Sequence, residues 1–482
     1  MHARGDHLPA SLIERASSGL AKVTTQYVCQ ACGATSPRWL GRCTTCQEWN
    51  SLVEERSLTS SSRASATKPS GASRAVPIGH VAADAHERVE TGIGELDRVL
   101  GGGLVRGSVV LLGGDPGVGK STLLLQALAG LSARGVKTLY VSGEESAGQT
   151  ASRAKRLGAG GETLFVLAEN ELEAVLAATS DVRPEAMVVD SVQTIRSSAL
   201  ESAAGTVSQL REVASRVVEV CKRENVACFL VGHVTKDGSI AGPKVLEHLV
   251  DTVLEFEGER GHAFRSLRAR KNRFGSATEV GVFEMTAEGM ACVENPSALF
   301  LAERQAHASG SVICATCEGS RPMLVEIQAL VSPFSHGAPR RTVVGVDGAR
   351  LAMILAVLER KAGLALSGCD VFVSVAGGAR IDEPAADLAV ALALASSLRD
   401  RPLPENLVAF GELGLSGEVR SVPRAAERIA EAEGMGFLRA VVPNAQAKGA
   451  GKDPKDSRKR KAQPSAVTIG VRTIDEALAV LS

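Results

Sequence analysis

This chain has few aromatic residues and no long apolar run. Phe, Trp and Tyr make up 3% of its 482 residues, with two tryptophans and two tyrosines. So low a content argues against the broad base-stacking surfaces with which OB-folds bind nucleic acid. The longest apolar stretch, residues 388–398, falls short of the ~20 residues that cross a bilayer, so we predict a buried helix there and no membrane association.

Net charge and a secretion signal are also missing. Lys and Arg total 54 and Asp and Glu total 54, so only local basic clusters can indicate a nucleic-acid partner. Asp6, Glu14 and Arg15 interrupt any apolar stretch at the start of the chain, which predicts a cytoplasmic protein. In that compartment the ten cysteines indicate metal ligands or reduced thiols rather than disulfides.

The length predicts about three domains, and shifts in composition place their boundaries. The predicted segments are a disordered extension over 1–24, a C4 zinc unit over 27–53, a flexible linker over 57–80, an α/β domain over 85–295 and a second α/β domain over 300–482. In the first α/β domain, short apolar strands alternate with amphipathic helices, which predicts a parallel sheet with flanking helices. Its candidate strands are 109–112, 138–141, 186–189 and 228–231, and the second domain has candidate helices at 348–363, 384–398 and 423–434.

Two Cys-x2-Cys pairs lie close together near the N-terminus: Cys29, Cys32, Cys43 and Cys46. Thiolates on two tight turns can surround Zn²⁺ as a tetrahedron, and so short a segment has too little core to fold without the metal. Because cysteine fills all four ligand positions, the zinc is expected to be structural. Cys314 and Cys317 form a separate pair, and we interpret them as reduced thiols because two ligands do not complete a site.

Residues 113–122 read Gly-Gly-Asp-Pro-Gly-Val-Gly-Lys-Ser-Thr and directly follow the apolar run 109–112. Glycines at these spacings let the backbone wrap around an anion between a buried strand and a helix N-terminus. Lys120 is expected to reach the β- and γ-phosphates of ATP, and the Ser121 hydroxyl to ligate Mg²⁺. The predicted nucleotide-binding residues of the loop are Gly114, Asp115, Pro116, Gly117, Val118, Gly119, Lys120, Ser121 and Thr122.

Polar residues also follow the other candidate strands of this domain. Asp190 ends the strand 186–189 and would complete the Mg²⁺ shell beside the loop. Glu144 follows 138–141 and is the leading candidate for the base that polarises the attacking water, with Glu145 as the alternative. His233 follows 228–231, where sensing of the γ-phosphate and a structural role are both open.

The order of these motifs resembles that of RecA-type recombinase ATPases, and further segments are similar to the bacterial RadA (Sms) family of DNA repair proteins. These segments are 27–33 (Tyr-Val-Cys-Gln-Ala-Cys-Gly), 41–46 (Gly-Arg-Cys-Thr-Thr-Cys), 240–251 (Ile-Ala-Gly-Pro-Lys-Val-Leu-Glu-His-Leu-Val-Asp) and 271–275 (Lys-Asn-Arg-Phe-Gly). The resemblance implies a RecA-like P-loop core, an N-terminal C4 zinc unit and a C-terminal Lon-protease-like α/β domain. It also implies a homo-hexameric ring that drives branch migration on single-stranded and branched DNA, with a RecA-type recombinase as partner.

Basic residues occur at three further places of interest, all after residue 230. The segment 265–273 holds five cations and no acid; by the resemblance, its residues Lys271 and Arg273 act either on the ATP of a neighbouring subunit or on the DNA backbone. Lys236 and Lys244 fit a DNA-facing loop. The segment 452–461 either contacts nucleic acid or is a solvated charge run.

The C-terminal domain lacks the Ser-Lys dyad of Lon-like peptidases. By the resemblance, Ala385 stands at the serine position and Ala426 near the lysine position, and alanine offers neither a nucleophile nor a base. This domain is expected to be a catalytically inactive platform for assembly and DNA contact. The predicted activity is DNA-dependent ATP hydrolysis; the alternatives are an ATP-dependent protease and a nucleic-acid-binding ATP switch without motor activity.

Overall fold

The computed structural model describes residues 22–59, 87–232, 245–258, 264–305, 307–334, 338–447 and 466–481. His233, Lys236, Lys244 and the basic segment 452–461 lie outside these ranges, as do 1–21 of the predicted extension and 60–80 of the predicted linker. Among the described helices, none combines the length and the apolar character needed to span a membrane.

The N-terminal unit is an antiparallel sheet in the order β2-β1-β3. Its strands are β1 (Lys22–Cys29), β2 (Thr35–Ser36) and β3 (Leu52–Thr59). The structure corrects both predicted margins of this unit, since 22–24 belong to β1 rather than to the extension, and 57–59 belong to β3 rather than to the linker. The polar ends of the two strands pair through their backbones, from Lys22 opposite Thr59 onward, and such pairing does not need an apolar sequence.

The central domain alternates strands and helices along the chain. Its strands are β4 (Arg88–Val89), β5 (Leu104–Val105), β6 (Val109–Gly114), β7 (Thr138–Ser142), β8 (Leu164–Ala168), β9 (Ala186–Asp190), β10 (Ala227–Val231), β11 (Thr252–Glu257), β12 (Phe264–Asn272), β13 (Val280–Thr286) and β14 (Gly289–Cys292). Its helices are α1 (Gly94–Leu100), α2 (Lys120–Ala133), α3 (Ala147–Arg156), α4 (Leu172–Val182), α5 (Val207–Glu224) and α6 (Val245–Leu249).

Nine of these strands form one sheet in the order β14-β13-β12-β11-β6-β10-β9-β7-β8. The strands from β11 to β8 are parallel, and β12 to β14 add an antiparallel edge. Both faces of this sheet are covered, as strand β6 shows. Val110 and Leu112 point to one face and pack in one hydrophobic cluster, and Val109 and Leu111 point to the other face and pack in a second cluster. The predicted RecA-like α/β fold is confirmed.

The C-terminal domain has a second, seven-stranded sheet in the order β17-β18-β16-β15-β19-β22-β23, and β20 and β21 pair separately. The strands of the domain are β15 (Ser311–Glu318), β16 (Arg321–Pro333), β17 (Arg341–Val344), β18 (Cys369–Val375), β19 (Leu407–Ala409), β20 (Glu412–Leu413), β21 (Val419–Arg420), β22 (Arg439–Pro443) and β23 (Val467–Val471). Its helices are α7 (Pro296–Leu301), α8 (Gly348–Lys361), α9 (Asp387–Arg399), α10 (Ala425–Gly434), α11 (Asn444–Ala447) and α12 (Ile474–Leu478).

Helix α9 is the apolar run that the sequence predicts to be buried. Its residues from Asp387 to Ser396 are all buried, so the helix lies inside the domain rather than on its surface. The segment Pro384–Ala386 forms a 3₁₀ turn before it, so the predicted helix 384–398 is regular only from Asp387 onward. A proline at the start of such a turn cannot donate a backbone hydrogen bond and needs no partner there.

Buried polar contacts join the two α/β domains. Arg321 of β16 forms an ion pair with Glu95 of α1, and these residues are 6% and 5% exposed. Arg321 also donates to the carbonyl of Glu294 at 2.8 Å, and Glu95 accepts from the backbone N–H of Val282 at 2.9 Å. These contacts hold the C-terminal domain against the antiparallel edge of the central sheet, next to the phosphate loop.

Candidate functional site

The phosphate loop connects β6 to α2 through two glycines that cannot be replaced without strain. Gly114 and Gly119 have φ angles of 154° and 112°. A Cβ on Gly114 would lie 2.3 Å from the carbonyl oxygen of Phe256, and one on Gly119 would lie 2.1 Å from the Met290 methyl carbon. No side chain caps the start of α2, so its first N–H groups are available to an anion.

Lys120, at the first position of α2, is buried and held over the loop. Its side chain is 4% exposed, and its Nζ donates to the carbonyls of Gly114 at 2.7 Å and Asp115 at 2.9 Å. Burial lowers the pKa of Lys120, although the carboxylates of Asp190, Asp115 and Glu144 act in the opposite direction. The ammonium group therefore lies at the loop with weak neutral partners, which phosphate oxygens can replace.

Asp190 and Glu144 lie together at the carboxyl ends of neighbouring strands. Strands β7 and β9 are parallel with Ser142 opposite Asp190, which brings the segment after β7 beside Asp190. The Ser191 hydroxyl donates to the Glu144 carboxylate at 2.8 Å. Mg²⁺ prefers oxygen ligands, and Asp190 with the Ser121 hydroxyl would supply them here; the bound ion would neutralise charge on the phosphates.

Tyr140 supports Asp190 from inside the sheet, and sequence reasoning missed it. Its side chain is 0% exposed, and its hydroxyl donates to the Asp190 carboxylate. Arg153 of α3 donates to the same hydroxyl at 3.2 Å and pairs with Glu145 at 2.8 Å. A tyrosine in a strand predicted to be buried was the available signal, because a buried hydroxyl requires a partner. The network also separates the two glutamates: Glu145 is in an ion pair, and Glu144 is near Lys120.

A cleft of about 920 Å³ lies between the phosphate loop and the C-terminal domain. Loop residues 114–118 form one wall, strands β11 to β13 form another, and Phe300, Met323 and residues 377–380 come from the C-terminal domain. Residue patterns could not predict this cleft, because its walls come from segments that are far apart along the chain. The phosphate loop therefore has the second domain as a direct neighbour.

Carboxylates neutralise much of the basic segment 265–273. Arg268 lies 3.0 Å from Glu257 and also contacts Glu318 of the C-terminal domain. Arg270 pairs with Glu255 of β11. The segment holds no acid of its own, but its neighbours in the sheet and in the second domain supply them, so the basic surface expected from the sequence is smaller in the structure.

Lys271 and Arg273 lie near the amino end of the parallel strand β6, whereas the phosphate loop follows its carboxyl end. The Nζ of Lys271 donates to the carbonyl of Val250 at 2.8 Å, and Arg273 lies 3.0 Å from Asp251. Asp251 in turn accepts from the N–H of Val109 at 3.1 Å, at the start of β6. The loop follows the other end of that strand, about 17 Å away. The structure therefore does not bring Lys271 and Arg273 to the phosphate loop of the same chain.

The four N-terminal cysteines come together as predicted. Their sulfur atoms all lie within 4.8 Å of one another, with Cys29 3.6 Å from Cys46 and Cys32 3.6 Å from Cys43. Tetrahedral Zn–S bonds place sulfurs about 3.8 Å apart, so the cluster fits zinc. Backbone N–H groups of Cys46 and Thr45 lower the pKa of Cys43 to about 6, whereas burial raises the pKa of Cys32 to about 12. A bound cation would stabilise the thiolate form of all four ligands.

The other cysteine pair has a different environment. Cys314 and Cys317 lie three residues apart on β15, so their side chains point to opposite faces of the sheet. Burial raises the pKa of Cys317 to about 11 and that of Cys314 further. Both thiols are therefore protonated at neutral pH.

An ion pair between the buried Arg428 and the half-buried Glu383 lies beside the positions aligned with the Lon-like dyad. Ala385 is 1% exposed, and beside it Glu383 accepts two bonds from Arg428 at 2.7 and 2.6 Å. The Thr316 hydroxyl and the Cys317 N–H each donate to Glu383 at 2.7 Å. Burial raises the pKa of Glu383, but the bonds from Arg428 and these donors outweigh it, and the net pKa is lowered. Sequence reasoning missed this pair.

Three family models match separate parts of the chain. One described as a rubredoxin metal-binding domain matches residues 27–54, one described as an AAA domain matches 77–239, and one described as subunit ChlI of Mg-chelatase matches 335–446. The first match and the sulfur cluster together support zinc in the N-terminal unit.

Curated relatives match nearly the whole chain. DNA repair protein RadA of Listeria monocytogenes is 51% identical over 458 residues, which cover 95% of this chain and 98% of the relative. The RadA proteins of Aquifex aeolicus and Pseudomonas aeruginosa are 52% and 51% identical, and each match covers 88% of this chain. A solved KaiC-like protein of Pyrococcus horikoshii matches 43% of this chain at 21% identity, with a TM-score of 0.36.

Proposed function

The chain belongs to the RadA family of DNA repair proteins, and on that premise we propose that it is a DNA-dependent ATPase that promotes branch migration. Its substrates would be single-stranded and branched DNA formed during recombination and repair, and a RecA-type recombinase would be its partner. The observation that carries the proposal is the meeting of Lys120, Glu144 and Asp190 at one edge of the central sheet.

Each of these side chains has a distinct role in the proposal. Lys120 exchanges its loop carbonyls for the β- and γ-phosphates, and its charge stabilises the transferring group. Glu144 accepts the proton of the attacking water. The ion pair of Glu145 with Arg153, at 2.8 Å, makes Glu145 the poorer base, and this favours Glu144 over the alternative. Asp190 and Ser121 hold Mg²⁺.

Lys271 and Arg273 are proposed to act between molecules. Both residues lie near the amino end of β6, away from the phosphate loop of their own chain. This position supports a contact with the nucleotide of a neighbouring subunit, as in a hexameric ring, or with the DNA backbone. Ala385 and Ala426 support a C-terminal domain without peptidase activity, because alanine supplies neither the nucleophile nor the base of the dyad. The nearby Glu383 carboxylate is held in an ion pair by Arg428. The cytoplasmic location stays a prediction.

The ATPase rate measured with and without single-stranded DNA tests the proposal. We expect stimulation of roughly tenfold at saturating DNA, an effect of about 1.4 kcal/mol on the barrier. Migration of the branch in a three-strand DNA intermediate, with and without ATP, then tests the motor activity. A rate that DNA leaves unchanged would contradict the motor, and hydrolysis of casein would favour the alternative protease.

A further inference from the structure

The zinc unit exposes both tryptophans of the chain. Trp39 and Trp49 are 55% and 66% exposed, and the sequence has no other tryptophan. Tryptophan is usually highly buried because its indole carries a large apolar surface. Leaving both indoles in water costs the fold stabilisation that their burial would give, so their position points to a ligand.

The two rings border the same point of the metal-binding turn. A Cβ on Gly41 would lie 3.7 Å from the Trp39 ring and 3.9 Å from the Trp49 ring. The guanidinium of Arg42 stacks over the Trp49 ring at 5.4 Å, and Arg42 donates to the Gln47 carbonyl at 2.7 Å. Because Cys43 follows Arg42 directly, bound metal would make this arrangement rigid.

The surroundings of the rings favour a nucleic-acid base over a protein partner. Arg38, Thr45, Gln47, Glu48 and Asn50 are all exposed polar neighbours of the rings in the sequence, whereas the cores of protein interfaces are depleted of charged residues. A base needs only an exposed aromatic face, and arginines nearby can contact its phosphate.

We propose that Trp39 and Trp49 form a stacking site for unpaired bases of single-stranded DNA, with Arg38 and Arg42 placed to contact the phosphates. The inference rests on the proposed DNA-dependent function and locates one of its contacts. Since only two arginines take part, binding at this site is expected to depend on stacking more than on salt concentration.

Intrinsic fluorescence tests the site directly, because Trp39 and Trp49 are the only tryptophans that can report. The full zinc-loaded chain is titrated with an oligo(dT) strand, and we expect quenching that saturates with binding. Trp39→Ala with Trp49→Ala should weaken binding of a labelled strand on the order of tenfold or more per ring, whereas Trp→Phe at both positions should restore part of the affinity. Leu415→Ala, which removes an equally exposed apolar side chain (68% exposed), is the matched control and should change nothing.

The outcomes separate this site from the function on which it rests. Zinc content and the ATPase rate without DNA should be unchanged in the tryptophan variants, which shows that the fold and the phosphate loop are intact. If DNA stimulates the ATPase but does not quench the fluorescence, and the tryptophan variants bind DNA as tightly as the unchanged chain, the stacking site is wrong and the proposed function stands. Quenching without stimulation supports the stacking site and contradicts the motor. If the variants bind DNA normally but lose a recombinase partner, the surface is a protein interface and the inference is overturned.

Discussion

Two buried cations in this molecule have opposite surroundings. Lys120 in the phosphate loop is 4% exposed and donates to two backbone carbonyls. Arg428 in the C-terminal domain is 1% exposed and makes a two-point contact with the Glu383 carboxylate. Equal burial therefore does not mean equal function. A cation with neutral partners can accept an anionic ligand, whereas one matched by an internal carboxylate stabilises the fold.

The same contrast holds for the carboxylates at the two places. Glu383 has its pKa lowered by Arg428 and its other donors, so it stays charged within the domain. Asp190 accepts from the neutral Tyr140 hydroxyl, which leaves its charge for a metal ion. The following substitutions break or sharpen this comparison.

Removing the Lys120 ammonium should have the largest effect. Lys120→Ala is expected to lower kcat for ATP hydrolysis on the order of 10³-fold, because it removes a preorganised positive charge from the phosphates. The unfolding temperature should not fall, since no carboxylate loses its ion-pair partner. Lys155→Ala, on the exposed surface of α3, serves as the control. Hydrolysis that survives in Lys120→Ala would remove the basis for assigning the phosphate loop.

Removing Arg428 should act on stability instead. Arg428→Met removes the two-point partner of the half-buried Glu383 carboxylate, which keeps only the bonds from Thr316 and Cys317. We expect this to cost about 1.5–3 kcal/mol in the free energy of unfolding of the C-terminal domain. Denaturant unfolding followed by hydrogen exchange in α10 measures the loss, and adding Glu383→Gln should recover part of it. A cost below about 1 kcal/mol would show that the Glu383–Arg428 ion pair contributes no more to stability than an exposed surface pair.

Removing one hydroxyl from Tyr140 should have the smallest effect. Tyr140→Phe leaves the packing intact but takes a donor from Asp190, so we expect the Mg²⁺ concentration for half-maximal ATPase to rise roughly tenfold. The rate at saturating Mg²⁺ should be nearly unchanged. Tyr27→Phe, which alters the other tyrosine of the chain, should leave the Mg²⁺ dependence as it was. An equal response of both variants would contradict the positioning role of Tyr140.

The sequence predicted the features whose residues are close together along the chain. The four cysteines and the phosphate loop are short patterns, and a local pattern determines which backbone turns can form. The missed contacts join distant residues: Glu383 and Arg428 are 45 positions apart, and Tyr140 and Asp190 are 50 apart. Strand pairing and domain packing create such contacts, and neither can be read from residue spacing alone.

Strand β12 connects the cleft beside the phosphate loop with the residues around Lys271. It begins at Phe264 on the wall of the cleft and ends at Asn272 beside Lys271. It pairs with β13 over Phe264–Arg268 and with β11 over Ser266–Asn272, where the register shifts once. Arg268 also contacts Glu318 of the C-terminal domain. One strand therefore joins the cleft wall to Lys271, and we expect a ligand that displaces the cleft end of β12 to shift Lys271 as well.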